Sequence, residues 1–285
     1  MAEYLHSNNV KVACLQETKL KLGSKDPPIP GFAILRRDRP GGGYGGGVAI
    51  LVHHSVSFSP LDTAFTNNDQ HLEVIAVNAK INNSDIAIYN VYCPPSSSCS
   101  RGYLPDISSL LDNADEDSLV LGDWNAHDES WYSSISDDRG ELLVAEIEQS
   151  NFSILNQDSS TRLPRNNQRA TSPDVSLILA HLALAVSWSV DVKLSSDHLP
   201  IGICFVNDHP NPRLTRSIVN FRLADWNGYR LELEGLVSQL PPPSSCASGE
   251  KDLRKAIQPA AKHHIPAGFI AGGVNQIWLQ ILKKA

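Results

Sequence analysis

Short apolar runs rich in β-branched residues recur along this chain, each stopped by turn residues, and no other feature limits the fold as much. Val10–Leu15, Gly47–Val52, Leu72–Ala79, Ile86–Tyr92, Ser118–Leu121, Val175–Leu179 and Ile201–Phe205 read as buried strands. Helical periodicity is rarer. Leu104–Asn113 carries it, and Gly140–Ser150 carries it better, with Leu143 and Ile147 on an apolar face beside Leu142 and Val144. Asp138 or a neighbour can cap that helix. Many strands with helices between them imply an α/β chain of the α+β type: a two-sheet β-sandwich flanked by helices.

Composition supports a buried core and excludes several classes. Hydrophobic residues make up 41% of 285. No apolar run reaches the roughly 18 residues a membrane helix needs, so no membrane partner is expected. The start, Met1 to His6, lacks the charged-then-apolar plan of a signal peptide. The cysteines (Cys14, Cys93, Cys99, Cys204, Cys246) are odd in number and form no CxxC pair. Reduced thiols in an intracellular protein are expected, not a disulfide framework or a zinc site.

The net charge of −7 is uneven: residues 1–205 are acidic and residues 206–285 basic. Contacts to a phosphate-bearing substrate would therefore come from local patches or metal ions, not from the global field. Two arginine clusters stand out, Arg36, Arg37, Arg39 and Arg162, Arg165, Arg169, and solvated loops explain them equally well. The glycine run Gly41–Gly47 precedes a strand and holds no lysine, so it reads as a mobile hairpin-like turn and not as a phosphate cradle. Composition shifts after Phe205. Residues 206–285 hold Pro241, Pro242, Pro243 and two helical patterns, Trp226–Val237 and Lys251–His263. They read as a linker with a helical arm following a domain at 1–205.

Candidate chemistry gathers where strand patterns end, the place where loops collect functional groups. Glu17 follows Val12–Leu15 directly; a carboxylate there suits a hard metal ion, and a solvated strand end is the plain alternative. Tyr92 precedes Cys93, Pro94 and Pro95, and the prolines fix the exit of the strand. Its hydroxyl could donate to a phosphate oxygen, or it could be a core tyrosine. Asp123 and Asn125 follow Leu119–Gly122, and Ala126 and His127 come next. Aspartate can orient or deprotonate a water, and asparagine can hold a charged oxygen, although an Asx-turn accounts for the same residues. Asp174 enters an apolar strand after Ser172 and Pro173. Asp197 and His198 precede Leu199 and Pro200. Neighbours on extended backbone point to opposite sides, so Asp197 is poorly placed to orient His198 and Asp174 is the natural partner.

In order, Gln16-Glu17-Thr18, Tyr92 with its two prolines, Gly122-Asp123-Trp124-Asn125, Ser172-Pro173-Asp174 and Ser196-Asp197-His198 resemble the endonuclease/exonuclease/phosphatase superfamily over about residues 9–205. The glycine run with Val48–Val52, the helix start Arg139–Leu143 and the segment Asn151–Asn156 look like non-LTR retrotransposon endonucleases, and Ala256–Pro266 looks like the linker before their reverse transcriptase. The resemblance implies a DNase I-like fold and residue roles. Glu17 would ligate Mg²⁺ (Mn²⁺ being possible), with Asp197 on the metal side of the site. Tyr92 and Asn125 would bind the scissile phosphate. Asp123 would position or deprotonate the attacking water. His198, held by Asp174, would stabilise developing charge, and Thr161 would match a DNA-contacting threonine. The family opens with a strand ending in Asn. Residues 2–9 look like the helix after it, so a truncated domain with an empty sheet position and lowered activity is expected.

The function so implied is a metal-dependent DNA endonuclease that nicks target DNA, in the nucleus when acting on chromosomal DNA, with a reverse transcriptase as partner in a longer polyprotein. The alternatives are a catalytically impaired or dead fragment of that domain, and a phosphatase of the same superfamily.

Overall fold

In the computed structural model of the chain the described residues are 1–39, 45–114, 117–164, 170–191, 196–219, 224–242, 246–265 and 267–277. Most of the glycine run, Arg165 and Arg169 lie outside them. Contacts divide the chain into one unit of Met1–Asn207 with the residues from Val274, and a second unit of Asp208–Gly273.

The first unit begins with helix α1 (Ala2–Ser7) and strand β1 (Val12–Gln16). Strands β2 (Phe32–Arg37) and β3 (Val48–His53) follow. These strands form an antiparallel sheet in the order β1–β3–β2, with β1 at its edge. A six-stranded sheet is built from β4 (Phe58–Leu61), β5 (Glu73–Ile81), β6 (Ser84–Tyr92), β7 (Ser118–Asp123), β8 (Phe152–Ile154) and β9 (Asp174–Leu179), in the order β4–β5–β6–β7–β9–β8. Helix α2 (Ile107–Asn113) lies between β6 and β7, which run parallel, and α3 (Asp138–Gln149) lies between β7 and β8. Strand β10 (Val186–Val190) pairs antiparallel with the start of β11 (Ile201–Val219).

Side-chain alternation sorts this unit into layers. Ile86, Ile88, Leu119, Leu121 and Ile178 of the large sheet meet Val12, Cys14, Ile50 and Val52 of the small one, with Trp188, Ile201 and Ile203 in the same core. The opposite face of the large sheet, with Ala87, Tyr89, Val91, Val120, Val175 and Leu177, is covered by Ile107, Leu110, Leu143 and Ile147 of the helices. Tyr4 and Leu5 of α1 pack on Ala13, Leu15, Ala49 and Leu51, the outer face of the small sheet. This is the expected two-sheet sandwich flanked by helices, the DNase I-like α+β arrangement.

One residue on the interior phase of β6 is not apolar. Asn90 is fully buried; its Nδ2 donates to the Leu15 carbonyl at 3.0 Å and the Ala49 carbonyl at 2.9 Å, and its Oδ1 accepts from Gln16 Nε2. A single amide thus joins the large sheet to both β1 and β3. Every bond it makes is shielded from water, which makes the pairing worth more and its loss costlier.

Strands not anticipated in the first unit are β2, β4, β8 and β10, and in the sequence after Phe205 β12 (Ala267–Ile277) was not anticipated either. Each of the four in the first unit is short or half-exposed, such as β4 with its central Pro60, and so lacks the uninterrupted apolar run that marks a buried strand. In the second unit, α4 (Trp226–Ser238) and α5 (Cys246–His264) fall where helical patterns were expected and pack on each other. Glu232 of α4 accepts from His263 and His264 at 2.8 Å each. Strand β11 continues beyond residue 205, and β12 (Ala267–Ile277) lies beside it.

Replacing Asn90 by Ala removes its buried bonds to the Leu15 and Ala49 carbonyls and leaves the Gln16 amide without its acceptor. Urea denaturation of Asn90→Ala should show a loss of about 2–4 kcal/mol; a loss below about 0.5 kcal/mol would mean that the amide does not join the sheets.

Candidate active site

Strand register places the site. Glu73 lies opposite Tyr92, Tyr92 beside Asp123, and Asp123 opposite Asp174, each pair in register across β5, β6, β7 and β9. Neighbouring strands are spaced by about 4.8 Å, so this row sets three expected site residues side by side. All four residues continue the phase of their strands that faces the second sheet. Gly122 permits the row: a Cβ there would come within 1.8 Å of the Val91 carbonyl oxygen, so any side chain would push β7 away from β6.

Asp123 and Asp174 are fully buried. His198 is 1% exposed, and its Nδ1 donates to the Asp174 carboxylate, at 2.9 Å from both oxygens. Thr161 donates to Asp174 Oδ2 at 2.7 Å, and Asn156 Nδ2 donates to the Asp174 carbonyl at 2.8 Å. The donors on Asp174 hold the imidazole by Nδ1 and turn Nε2 away from the pair, fixing the tautomer by geometry. Ligand-type atoms of Asp123, Asp174 and His198 lie within 4.8 Å of one another.

Glu17 follows β1 with φ 50, and Asn125 follows β7 with φ 43. Left-handed backbone is tolerable for asparagine but is a strain for glutamate, and strain of this kind collects at functional sites. Tyr92 donates its hydroxyl to Glu17 Oε1 at 2.9 Å. Burial first, then the carboxylates of Glu17 and Asp123, push the Tyr92 phenol well above its usual range, and Arg39 opposes them. Tyr92 therefore stays protonated and acts as a donor. Lys19 stands 3.7 Å from Glu17 Oε2. Asp123 Oδ1 accepts from the Asn125 backbone at 3.1 Å, and Asn125 Nδ2 donates to the Cys93 carbonyl at 2.9 Å, so the Asx-turn reading and the site reading coexist.

Asp197 Oδ2 takes the Arg162 guanidinium at 3.1 Å. The structure thus groups Glu17 with Tyr92, Asp123 with Asn125, and Asp174 with His198 and Thr161; the Tyr92–Asp123–Asp174 row links these groups.

Several partners were not singled out from the sequence. Glu73 accepts from the Gly47 backbone at 2.6 Å and from Arg39 Nε, and the Arg39 guanidinium lies 5.7 Å from the Tyr92 ring centre. The other arginines of that cluster are engaged too: Arg36 with Asp26 and Arg37 with the Val74 carbonyl. Their signal was present, since Glu73 opens a strand in the phase of Ile75 and Val77, where a charge needs a partner.

A family model described as "Endonuclease-reverse transcriptase" matches residues 86–202, a stretch holding every expected site residue except Glu17. The "Probable RNA-directed DNA polymerase from transposon X-element" of Drosophila melanogaster is 29% identical over 258 residues, 90% of this chain and 27% of that protein. The chain spans about a quarter of the length of the curated relatives it matches. Among solved structures, the endonuclease domain of TRAS1, a telomere-specific non-LTR retrotransposon, is similar with a TM-score of 0.57 and 18% identity, covering 73% of this chain and 91% of that one. The catalytic domain of Xenopus laevis APE2 follows at 0.50 and 15%, covering 70% and 84%. Sequence motifs, sandwich and matches point the same way: the chain is similar to retrotransposon endonucleases and has the fold of the endonuclease/exonuclease/phosphatase proteins.

Proposed function

We propose that this chain is a divalent-metal-dependent DNA endonuclease that nicks one strand of target DNA, leaving a 3′-hydroxyl that primes reverse transcription. The observation that carries the reading is the row Tyr92–Asp123–Asp174, with His198 fixed by its Nδ1 to the last member. Structural needs alone do not place two fully buried carboxylates in adjacent strand positions, because each carries a desolvation cost that only cationic or hydrogen-bonded partners offset.

The donor chemistry fits a hard cation. Glu17, Asp123 and Asp174 offer carboxylate oxygens at one end of the sandwich, and oxygen-rich sets select Mg²⁺ or Mn²⁺ over softer metals. Glu17 would hold the ion, with Asp197 at the edge of the same site. When bound, the cation supplies Lewis-acid neutralisation of phosphate charge. The chain's own groups do the rest. Asp123 orients or deprotonates a water for in-line attack on phosphorus. Asn125 and the protonated Tyr92 donate to the scissile phosphate, and Thr161 backs the Asp174 carboxylate. His198, anchored through Nδ1 to the Asp174 carboxylate, would meet the developing charge with Nε2–H in its imidazolium form, which that carboxylate favours. The same reading makes residues 206–285 a linker and helical arm leading toward a reverse transcriptase in the longer polyprotein, acting on chromosomal DNA in the nucleus. Among the described residues no helix is long and apolar enough to cross a membrane.

Supercoiled plasmid incubated in Mg²⁺ tests the assignment. The parent should give relaxed circles, while Asp123→Ala and His198→Ala should each lower the rate by on the order of 10²–10⁴-fold. Variants that nick as fast as the parent would remove these residues from the site. Inorganic phosphate released from a small ester, with the plasmid left supercoiled, would move the reading to a phosphatase.

Chelation checks the cation separately. EDTA should abolish nicking and either Mg²⁺ or Mn²⁺ should restore it, and Glu17→Gln should raise the Mg²⁺ concentration for half-maximal rate by at least about tenfold, as loss of a charged ligand does. An unchanged Mg²⁺ requirement in that variant would take Glu17 out of the metal site.

A further inference from the structure

Arg139, at the start of α3, is 2% exposed although it carries a full charge. Its Nη1 lies 2.8 Å from the Pro94 carbonyl, 3.2 Å from the Trp124 carbonyl and 3.3 Å from the Asn125 carbonyl. Pro94 belongs to the loop that leaves β6 after Tyr92; Trp124 and Asn125 belong to the loop that leaves β7 after Asp123. One guanidinium therefore ties together the exits of the two strands that supply Tyr92 and Asp123. Its Nη2 also reaches Cys99 Sγ at 3.9 Å, farther along the first loop.

The rest of the helix start reinforces the tie. Asp137 caps α3 through Gly140 at 2.8 Å, and the same Oδ1 accepts from the His127 backbone at 3.1 Å. A Cβ on Gly140 would stand 1.9 Å from the His127 carbonyl oxygen, so only glycine lets the helix come this close to the loop. A buried cation facing three carbonyls is a costly device for packing alone. Asn125 itself sits at φ 43, a conformation that must be held in place.

From this we infer that Arg139 is a positioning residue: it sets the Asn125 amide and the Tyr92 exit loop relative to one another, and through them the scissile phosphate relative to Asp123. The inference rests on the endonuclease reading above. It makes two demands. Loss of the guanidinium should slow the chemical step more than it weakens DNA binding. It should also loosen the Asn125 loop in the absence of substrate. A cleft of about 500 Å³ is lined by Arg139 with Ser96, Ser100, Arg101 and Tyr103, and added guanidinium would enter through it to the place of a deleted side chain.

The test uses the full chain as Arg139→Met, Arg139→Lys and Arg139→Ala. Arg139→Met should lower kcat for plasmid nicking by about 100-fold, the size expected for a misplaced reacting group, with KM changed less than about threefold. Arg139→Lys should recover part of that loss, and added guanidinium should raise the rate of Arg139→Ala saturably without affecting the parent. Hydrogen exchange of the Asn125 and Trp124 amides, followed by NMR without DNA, should accelerate in Arg139→Met while β5 and β6 amides keep their protection. An unchanged kcat in folded Arg139→Met, or a loss confined to KM, overturns the proposal. If the parent fails to nick, the functional reading falls, and the exchange measurement still decides the clamp: unaltered exchange at Asn125 and Trp124 would overturn it. If Arg139→Met does not fold, Arg139→Lys carries the test, and parental kcat in that variant together with no guanidinium rescue of Arg139→Ala would sink it.

Discussion

Hydrogen-bond register between β6, β7 and β9 is the constraint on which the site depends. The pairs Tyr92–Asp123 and Asp123–Asp174 are fixed by the ladders that also pair Ile88 with Leu119 and Leu119 with Ile178 in the core between the sheets. A slip of one residue in either ladder would turn the core set toward the helices and the carboxylates away from one another. Core packing and site geometry are thus enforced by the same bonds. Gly122 shows how tight this is, because β7 approaches β6 at the step just before Asp123 too closely for any side chain.

Around this row the fold spends polar groups in matched sets. Asn90 and Gln16 join the sheets one residue-pair inside the site, so the end of β1 that carries Glu17 cannot drift from the end of β6 that carries Tyr92. Asn156 bridges the Asp174 carbonyl and the Ser176 amide, holding β9 where Asp174 meets His198. Glu73 extends the row outward and fixes Gly47 and Arg39 beside the tyrosine ring. About half of these ties run from Asn90, Asn156 and Glu73 to backbone, the part of the chain that the register already fixes.

The strands that build the site were legible because they are apolar on both faces: Ser118–Leu121 and Val175–Leu179 are covered by helices on one side and by the second sheet on the other. The pairing of His198 with Asp174 rather than with adjacent Asp197 followed from alternation alone, and the hydrogen bonds run that way. Asn90 was readable in principle, as a polar residue in the phase of Ile86 and Ile88, but phase says only that it is buried and not which carbonyls it meets. Arg139 was less readable still. Its partners at 94, 124 and 125 come together only after two loops and a helix have folded, and local pattern holds no information at that range. The short edge strands β4 and β8 were missed for a related reason: their stability comes from a neighbour's ladder, not from their own composition.

Charge bears on how the proposed endonuclease would meet DNA: through its loops and not through the global field. Residues 1–205 are acidic, and the arginines that looked available in the sequence are engaged within the protein: Arg36 with Asp26, Arg39 with Glu73, Arg162 with Asp197. Handing any of them to a phosphate would leave a carboxylate without its cation, so part of the Coulomb gain on DNA would be lost again inside the protein. Such residues serve better as struts than as phosphate hooks. Arg39 braces the tyrosine ring and Arg162 holds the Asp197 carboxylate. In the proposed endonuclease, negative charge gathered at the mouth of the sandwich would act against DNA until a divalent cation is present, coupling cation binding and substrate binding through the carboxylates themselves.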